Sequence, residues 1–240
     1  MELFWDSMVQ AFKLLFSTNG YVGSVLLMSL RTSGIAVLLG MMIGIPIGSW
    51  LGLSRFRGRN ILAAFVNTGL ALPPVVVGLF VYMLLSRRGP LGSLELLFTV
   101  PAMIIAQTII AAPVIAAISM AAVGSVPREM RIQALGLGAS RRQTVWMVMR
   151  EARVSLMAAV VTGFGAVISE VGAVMMVGGN IATTDSNKTR VMTTAIVQET
   201  RMGHFERAMA FGLILLLVAF IIMLILTRLQ QGARGRWLQS

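Results

Sequence analysis

The sequence predicts an all-α membrane protein with five transmembrane helices, an N-terminal interfacial helix and one structured loop between the third and fourth spans. Three observations carry that expectation. Hydrophobic residues make up 57% of the 240 positions and charged ones 12%, at a mean hydropathy of +0.84, which leaves too little polar surface to cover a water-soluble globule. The apolar residues gather into five runs long enough to cross about 30 Å of hydrocarbon. The basic residues occupy the short stretches between those runs, mostly on one side. That placement accounts for the formal charge of +11 through topology; a nucleic-acid interface would need the basic residues on a solvated face, so no nucleic acid is expected as a partner. Cysteine is absent and His204 is the single histidine, which excludes disulfide frameworks, zinc fingers, thiol nucleophiles and cysteine-ligated clusters.

At the N-terminus, Phe4, Trp5, Met8, Val9, Phe12, Leu15 and Phe16 recur at helical spacing opposite Glu2, Asp6, Gln10 and Lys13. Residues 1–20 are read as an amphipathic helix, lying in the outer leaflet with Trp5 at headgroup level or packed on the protein's own flank. A basic n-region and a small-residue cleavage site are not seen there, so no signal peptide is expected. The five spans are Val22–Leu53, Ile61–Leu85, Leu96–Val123, Val154–Val177 and Ala208–Thr227. Together they form a single transmembrane domain over residues 21–228, followed by a short tail, 229–240. As one helix the first span would reach about 48 Å, so it projects beyond the bilayer or bends near Gly34.

Orientation follows from the arginines. Arg55, Arg57 and Arg59, then Arg128, Arg131, Arg141, Arg142, Arg150 and Arg153, then Arg228, Arg234 and Arg236 fall on one side with only Glu129 and Glu151 against them. On the other side Lys13, Arg87, Arg88, Lys188, Arg190, Arg201 and Arg207 are nearly balanced by Glu2, Asp6, Glu95, Asp185, Glu199 and Glu206. The positive-inside rule puts the first set in the cytoplasm, the N-terminus outside and the C-terminus inside.

Gly40, Gly44, Gly48 and Gly52 repeat every four residues along the first span, a face on which another helix backbone can approach closely. In the second span Pro73 and Pro74 remove consecutive backbone donors at mid-membrane depth, with Gly78 just beyond. Pro113 in the third span and Gly163, Gly165 and Gly172 in the fourth weaken those helices too. Such interruptions either serve packing or line a gated pathway, and Pro73, Pro74 and Gly78 are candidates for the latter. Glu170 is the one carboxylate inside a span. A charge at that depth costs about 2.5–3.5 kcal/mol on insertion scales and normally has a partner; Arg31, similar in depth, makes the pair an ion-pair candidate, with gating as the other role open to Glu170. Met175 and Met176, among eighteen methionines, are gate candidates because flexible thioethers repack readily, although ordinary core filling explains them as well.

The loop of residues 125–150 is punctuated for structure. Pro127 suits a first helical turn with Glu129 near its positive end, Gly136 and Gly138 stop that helix, and Ser140 with Gln143 forms a capping box that starts a second helix through Trp146. A compact helix-turn-helix with arginines around it suits docking into a groove on another protein.

Gln133-Ala134-Leu135-Gly136-Leu137-Gly138-Ala139-Ser140, followed by Gln143-Thr144 and Trp146, resembles the coupling loop of permease subunits of ABC importers, a pattern of Glu-Ala-Ala, three residues, then Gly. Ala134 and Gly138 match it. Ile132 and Gln133 stand at the Glu and first Ala positions, and Arg150-Glu151 replace the Leu-Pro that usually follows. Leu72–Gly78 resembles the second-span motif of molybdate, tungstate and sulfate-type permeases, and Ser169–Ile181 with Thr189–Ile196 is most similar to the tungstate-specific ones. The resemblance covers roughly Ser29 to Thr227.

It implies a type I ABC importer permease fold, in a homodimer in the cytoplasmic membrane of a bacterium or archaeon. Two cytoplasmic ATPase subunits would grip the loops through Arg128, Glu129, Gln133, Ala134, Gly136, Gly138, Ala139, Ser140 and Arg141, and an extracytoplasmic oxyanion-binding protein would deliver the anion. The chain itself contains no Gly-x4-Gly-Lys-Ser/Thr. ATP and Mg are therefore expected on the partner, with no cofactor on this chain. Tungstate is the expected substrate, and molybdate or a broader oxyanion range the alternative. A membrane enzyme would need clustered polar groups at depth; a secondary transporter or channel would leave the structured loop without a use.

Overall fold

The computed structural model describes residues 20–182 and 189–235, together with Trp5, Met8, Val9 and Lys13. The expected N-terminal interfacial helix lies mostly outside the described residues. All regular structure among them is helical: α1 Gly20–Leu53, α2 Arg59–Thr68, α3 Pro74–Leu85, a short 3-10 turn Gly92–Leu94, α4 Val100–Gly124, α5 Arg128–Gly136, α6 Arg141–Glu151, α7 Arg153–Ile168, α8 Gly172–Gly178, α9 Met192–Arg201 and α10 Phe205–Gly235.

Three stretches among them, Tyr21–Leu53, Val100–Gly124 and Phe205–Gln230, are long and apolar enough to cross a membrane unaided. The second and fourth expected spans are instead each divided. Residues 61–85 separate into α2 and α3, because Pro74 occupies the first turn of α3, Pro73 caps it in an extended conformation, and neither carries an N–H. Val76 and Val77 donate their amides to the Pro73 carbonyl, and α2 unwinds through turns at Gly69, Leu70 and Ala71. Twelve residues in α3 span only about 18 Å. Residues 154–177 are interrupted by Ser169, Glu170 and Val171 between α7 and α8, and α6 meets α7 at a bend of 63°.

The centre of the molecule is the α1–α4 pair. A Cβ added at Gly40, Gly44 or Gly52 would stand 2.9 Å from Ala111 Cβ, 2.7 Å from Ala112 O and 2.8 Å from Met120 O, and one at Gly48 would run into Ala116 O. The four-residue glycine repeat thus lets two backbones touch along three turns, as its spacing predicts. Pro46 is accommodated inside α1 without ending it. Around this pair, Ala36, Val37, Ala111, Ile115, Ala159, Phe164, Val167 and Ile168 join α7 to the frame. Val77, Val81, Leu85, Met103, Ala106, Ala173, Val174 and Val177 join α3 and α8 to α4. At the loop end, Val123, Val126, Val148, Ala152 and Leu156 form a separate cluster under α5 and α6.

Candidate translocation pathway and coupling loop

The loop hairpin is built as its punctuation predicts. Pro127 caps α5, with Glu129 in its first turn. Gly136 ends α5, and Gly138 turns the chain at φ +87, a conformation that favours glycine. The Ser140 side chain accepts from the Gln143 amide at 3.3 Å, while the Ser140 amide donates to Gln143 Oε1 at 2.7 Å, completing the capping box that opens α6. Apolar side chains are left on the outside: Leu137 is 90% exposed and Trp146 65%, with Ile132 and Leu135 beside them. The Arg150 guanidinium lies 5.4 Å from the Trp146 ring centroid. Arg128, Glu129, Gln133, Gly136, Ser140 and Arg141 are exposed on the same hairpin, with Ala134 and Ala139 half-buried. Such a protrusion is suited to a hydrophobic groove with a polar rim.

Arg131 behaves differently. Its guanidinium donates to the carbonyls of Val123 at 2.8 Å and Val126 at 3.3 Å, fastening α5 to the end of α4. Arg59 does the same for α1, donating to Leu51 O at 2.8 Å. Both satisfy carbonyls that a helix end leaves unpaired. By residue counts alone these two arginines read only as topology markers, since an eight-residue separation matches no helical contact.

In the interior, the two interruptions are brought together. Pro73 and Pro74 start α3, and one turn later Gly78 rests on α8, where an added Cβ would sit 2.6 Å from Ala173 Cα. Glu170 is buried at 9% exposure and its Oε1 accepts from the Ala173 amide at 2.9 Å. The carboxylate therefore satisfies an orphan donor at the positive end of α8. The expected ion pair with Arg31 is not formed: the Glu170 carboxylate is taken up by the Ala173 amide, and Arg31 has no carboxylate within ion-pair distance among the described residues. Arg31 is exposed and lines a cleft with Phe98, Thr99 and Thr189. The physical reason is local, because the helix that restarts after Glu170 supplies a nearer partner. Met175 and Met176 are half-buried on α8.

Residues at the start of α9 and just before it hold this region in place. The Thr193 hydroxyl donates to the Glu170 carbonyl at 2.9 Å, the Met192 amide donates to Ser29 Oγ at 2.7 Å, and Arg190 donates to Asn180 Oδ1 and to the Tyr21 hydroxyl. One residue near the break was not singled out by its sequence position. Gln107, on α4, is 2% exposed; its Nε2 reaches the Val167 carbonyl at 3.4 Å, and its Oε1 has no partner. A lone amide in an apolar span was the available signal. No group of three or more His, Asp or Glu side chains suited to a metal occurs among the described residues.

Residues 44–235 match the family described as the binding-protein-dependent transport system inner membrane component. The chain belongs to that family. It is accordingly a multi-pass inner-membrane permease subunit of an ABC importer, and ATP hydrolysis belongs to a separate subunit. A probable anion ABC transporter permease of Haloferax volcanii is 42% identical over 90% of this chain and 94% of its own length. The tungstate uptake system permease of Peptoclostridium acidaminophilum is 37% identical over 96% of this permease and 100% of its own chain. Among solved structures, a bacterial ABC transporter involved in alginate import superimposes at a TM-score of 0.74, with 19% identity, over 93% of this chain and 83% of that one. That likeness establishes the type I importer fold.

Proposed function

We propose that this permease carries tungstate inward. It would act as a homodimer, N-terminus outside and C-terminus inside, driven by two ATPase subunits that hold ATP and Mg and fed by an extracytoplasmic oxyanion-binding protein. The observation that carries the substrate is the full-length similarity to a tungstate uptake permease. Exposed apolar residues on a capped hairpin support the ATPase contact, since Leu137 and Trp146 are left largely exposed. The interrupted helices α3 and α8 are the gate in this reading, and Glu170, Pro73, Pro74, Gly78, Met175 and Met176 lie in it. An oxyanion crossing there needs donors without a deep trap, and hydroxyls and amides at helix breaks meet that need better than a fixed cation.

The more identical Haloferax volcanii relative is named only for an anion, which makes molybdate the competing substrate. The test is cellular tungsten and molybdenum by mass spectrometry at trace levels of both, in a strain lacking this chain and in the complemented strain. Loss of tungsten alone supports the reading; loss of molybdenum, or of neither metal, rejects it.

A further inference from the structure

Where α1 and α4 end together, a cleft of about 710 Å³ opens beside the root of the hairpin. Its lining combines two chemistries. Arg55, Arg59, Arg128 and Arg131 bring four guanidinium groups, while Leu53, Val126, Ile132 and Leu135 give apolar walls, and among the described residues no carboxylate lines it. Arg59 and Arg131 are held in place by the terminal carbonyls of α1 and α4, each of which offers about half an elementary charge against a full one. Positive charge is therefore left over. It is increased by Arg55 and Arg128, which are exposed and make no hydrogen bond or ion pair among the described residues. The Arg131 Nε is buried and has no hydrogen-bond partner.

Depth selects the ligand. Gly52 packs against Met120, Val123 and Gly124, so two membrane-crossing helices stop at the same level and the cleft opens at the bilayer boundary. We propose that it binds the phosphate headgroup of an anionic phospholipid, in the leaflet facing the ATPase. Arg55 and Arg128 take the phosphate, and Leu53 and Val126, at the membrane side of the cleft, take the start of the acyl chains. Basic pockets at the cytoplasmic ends of transmembrane helices suit such headgroups. A free anion would use the guanidinium groups and leave the apolar walls idle. The bound lipid bridges the end of α1 to the first turn of α5, holding the hairpin root against the membrane frame. The site rests on the cytoplasmic orientation given above and is independent of which anion is carried.

The test is native mass spectrometry of the intact importer in neutral detergent, titrated with dioleoyl phosphatidylglycerol or dioleoyl phosphatidylcholine. The first phosphatidylglycerol is expected to bind about tenfold or more tighter than the first phosphatidylcholine. The Arg55→Gln/Arg128→Gln variant loses about fivefold for each arginine removed, at an unchanged unfolding midpoint because neither side chain is tied to the fold. An Arg87→Gln/Arg88→Gln control, which removes the same charge from the opposite end, keeps the preference. Equal binding of the two lipids by the native protein, or a preference surviving in the Arg55/Arg128 variant, overturns the site. Displacement of phosphatidylglycerol by inorganic phosphate reassigns it to a free anion and overturns the lipid. Loss of the ATPase subunit from that variant in lipid-free detergent makes the cleft a protein contact and overturns it equally.

Discussion

Glycine allows close backbone approach in two regions of this permease, with different results. Along α1 and α4 it does so at Gly40, Gly44, Gly48 and Gly52 between helices of 34 and 25 residues. Between α3 and α8 it does so at Gly78, which meets the Ala173 backbone, while Gly172 makes room for the Val75 side chain; those helices have only 12 and 7 residues. Repeated over three turns, contact locks two long rods into a frame. The same contact between short helices makes a joint, whose position depends on a few hydrogen bonds from Glu170, Thr193 and Arg190. A long frame and a short, divided region thus come from one packing device at two lengths.

The comparison breaks most severely at Gly48. A Gly48→Leu change drives a side chain into the Ala116 backbone and is expected to cost about 3 kcal/mol or more, seen as loss of folded protein in detergent extracts. A Cβ added at Gly34 meets nothing within 4 Å, so Gly34→Ala should stay within about 0.5 kcal/mol. At the joint, Gly78→Ala should cost about 1–3 kcal/mol and reduce uptake by a larger factor than its melting shift explains; equal effects would make α3 and α8 part of the frame.

A smaller effect sharpens the role of Glu170. Glu170→Gln weakens the contact at the start of α8 by about 1 kcal/mol, read from its thermal midpoint, and Arg31→Gln leaves that midpoint unchanged. Combining Arg31→Glu with Glu170→Arg should recover nothing, because no pair exists to be swapped. The smallest change is Ser140→Ala, about 1 kcal/mol of local capping, detected as faster amide exchange in the first turn of α6 with global stability nearly intact.

What could be read in advance was whatever depends on sequence spacing. The glycine repeat, the Pro73-Pro74 interruption and the Ser140–Gln143 cap each specify their geometry within a few residues, and each is present. The division of the fourth span was not legible, since Glu170 in an apolar run reads as a membrane charge in need of a cation. Its role depends on the chain restarting a helix at Gly172 and on Thr193, 23 residues later, taking the freed carbonyl. Arg59 and Arg131 were hidden for the same reason: a side chain returning to a helix end depends on turn geometry that residue counts do not carry.

The 63° bend between α6 and α7 has a mechanical consequence. Ala152 donates its amide to Val148 and accepts from Leu156, both at 2.9 Å, so backbone bonding runs through the corner, which is packed inside its own apolar cluster. The corner is a stiff elbow. Its arms, of 11 and 16 residues, measure about 16 and 24 Å, a ratio near 1.5. Rotation about this corner would carry Ile168, one residue before the Ser169–Val171 break, about one and a half times as far as Arg141. In the proposed transport cycle the bend has the geometry of a bell-crank, which would turn a stroke at the hairpin into a longer sideways stroke at the break.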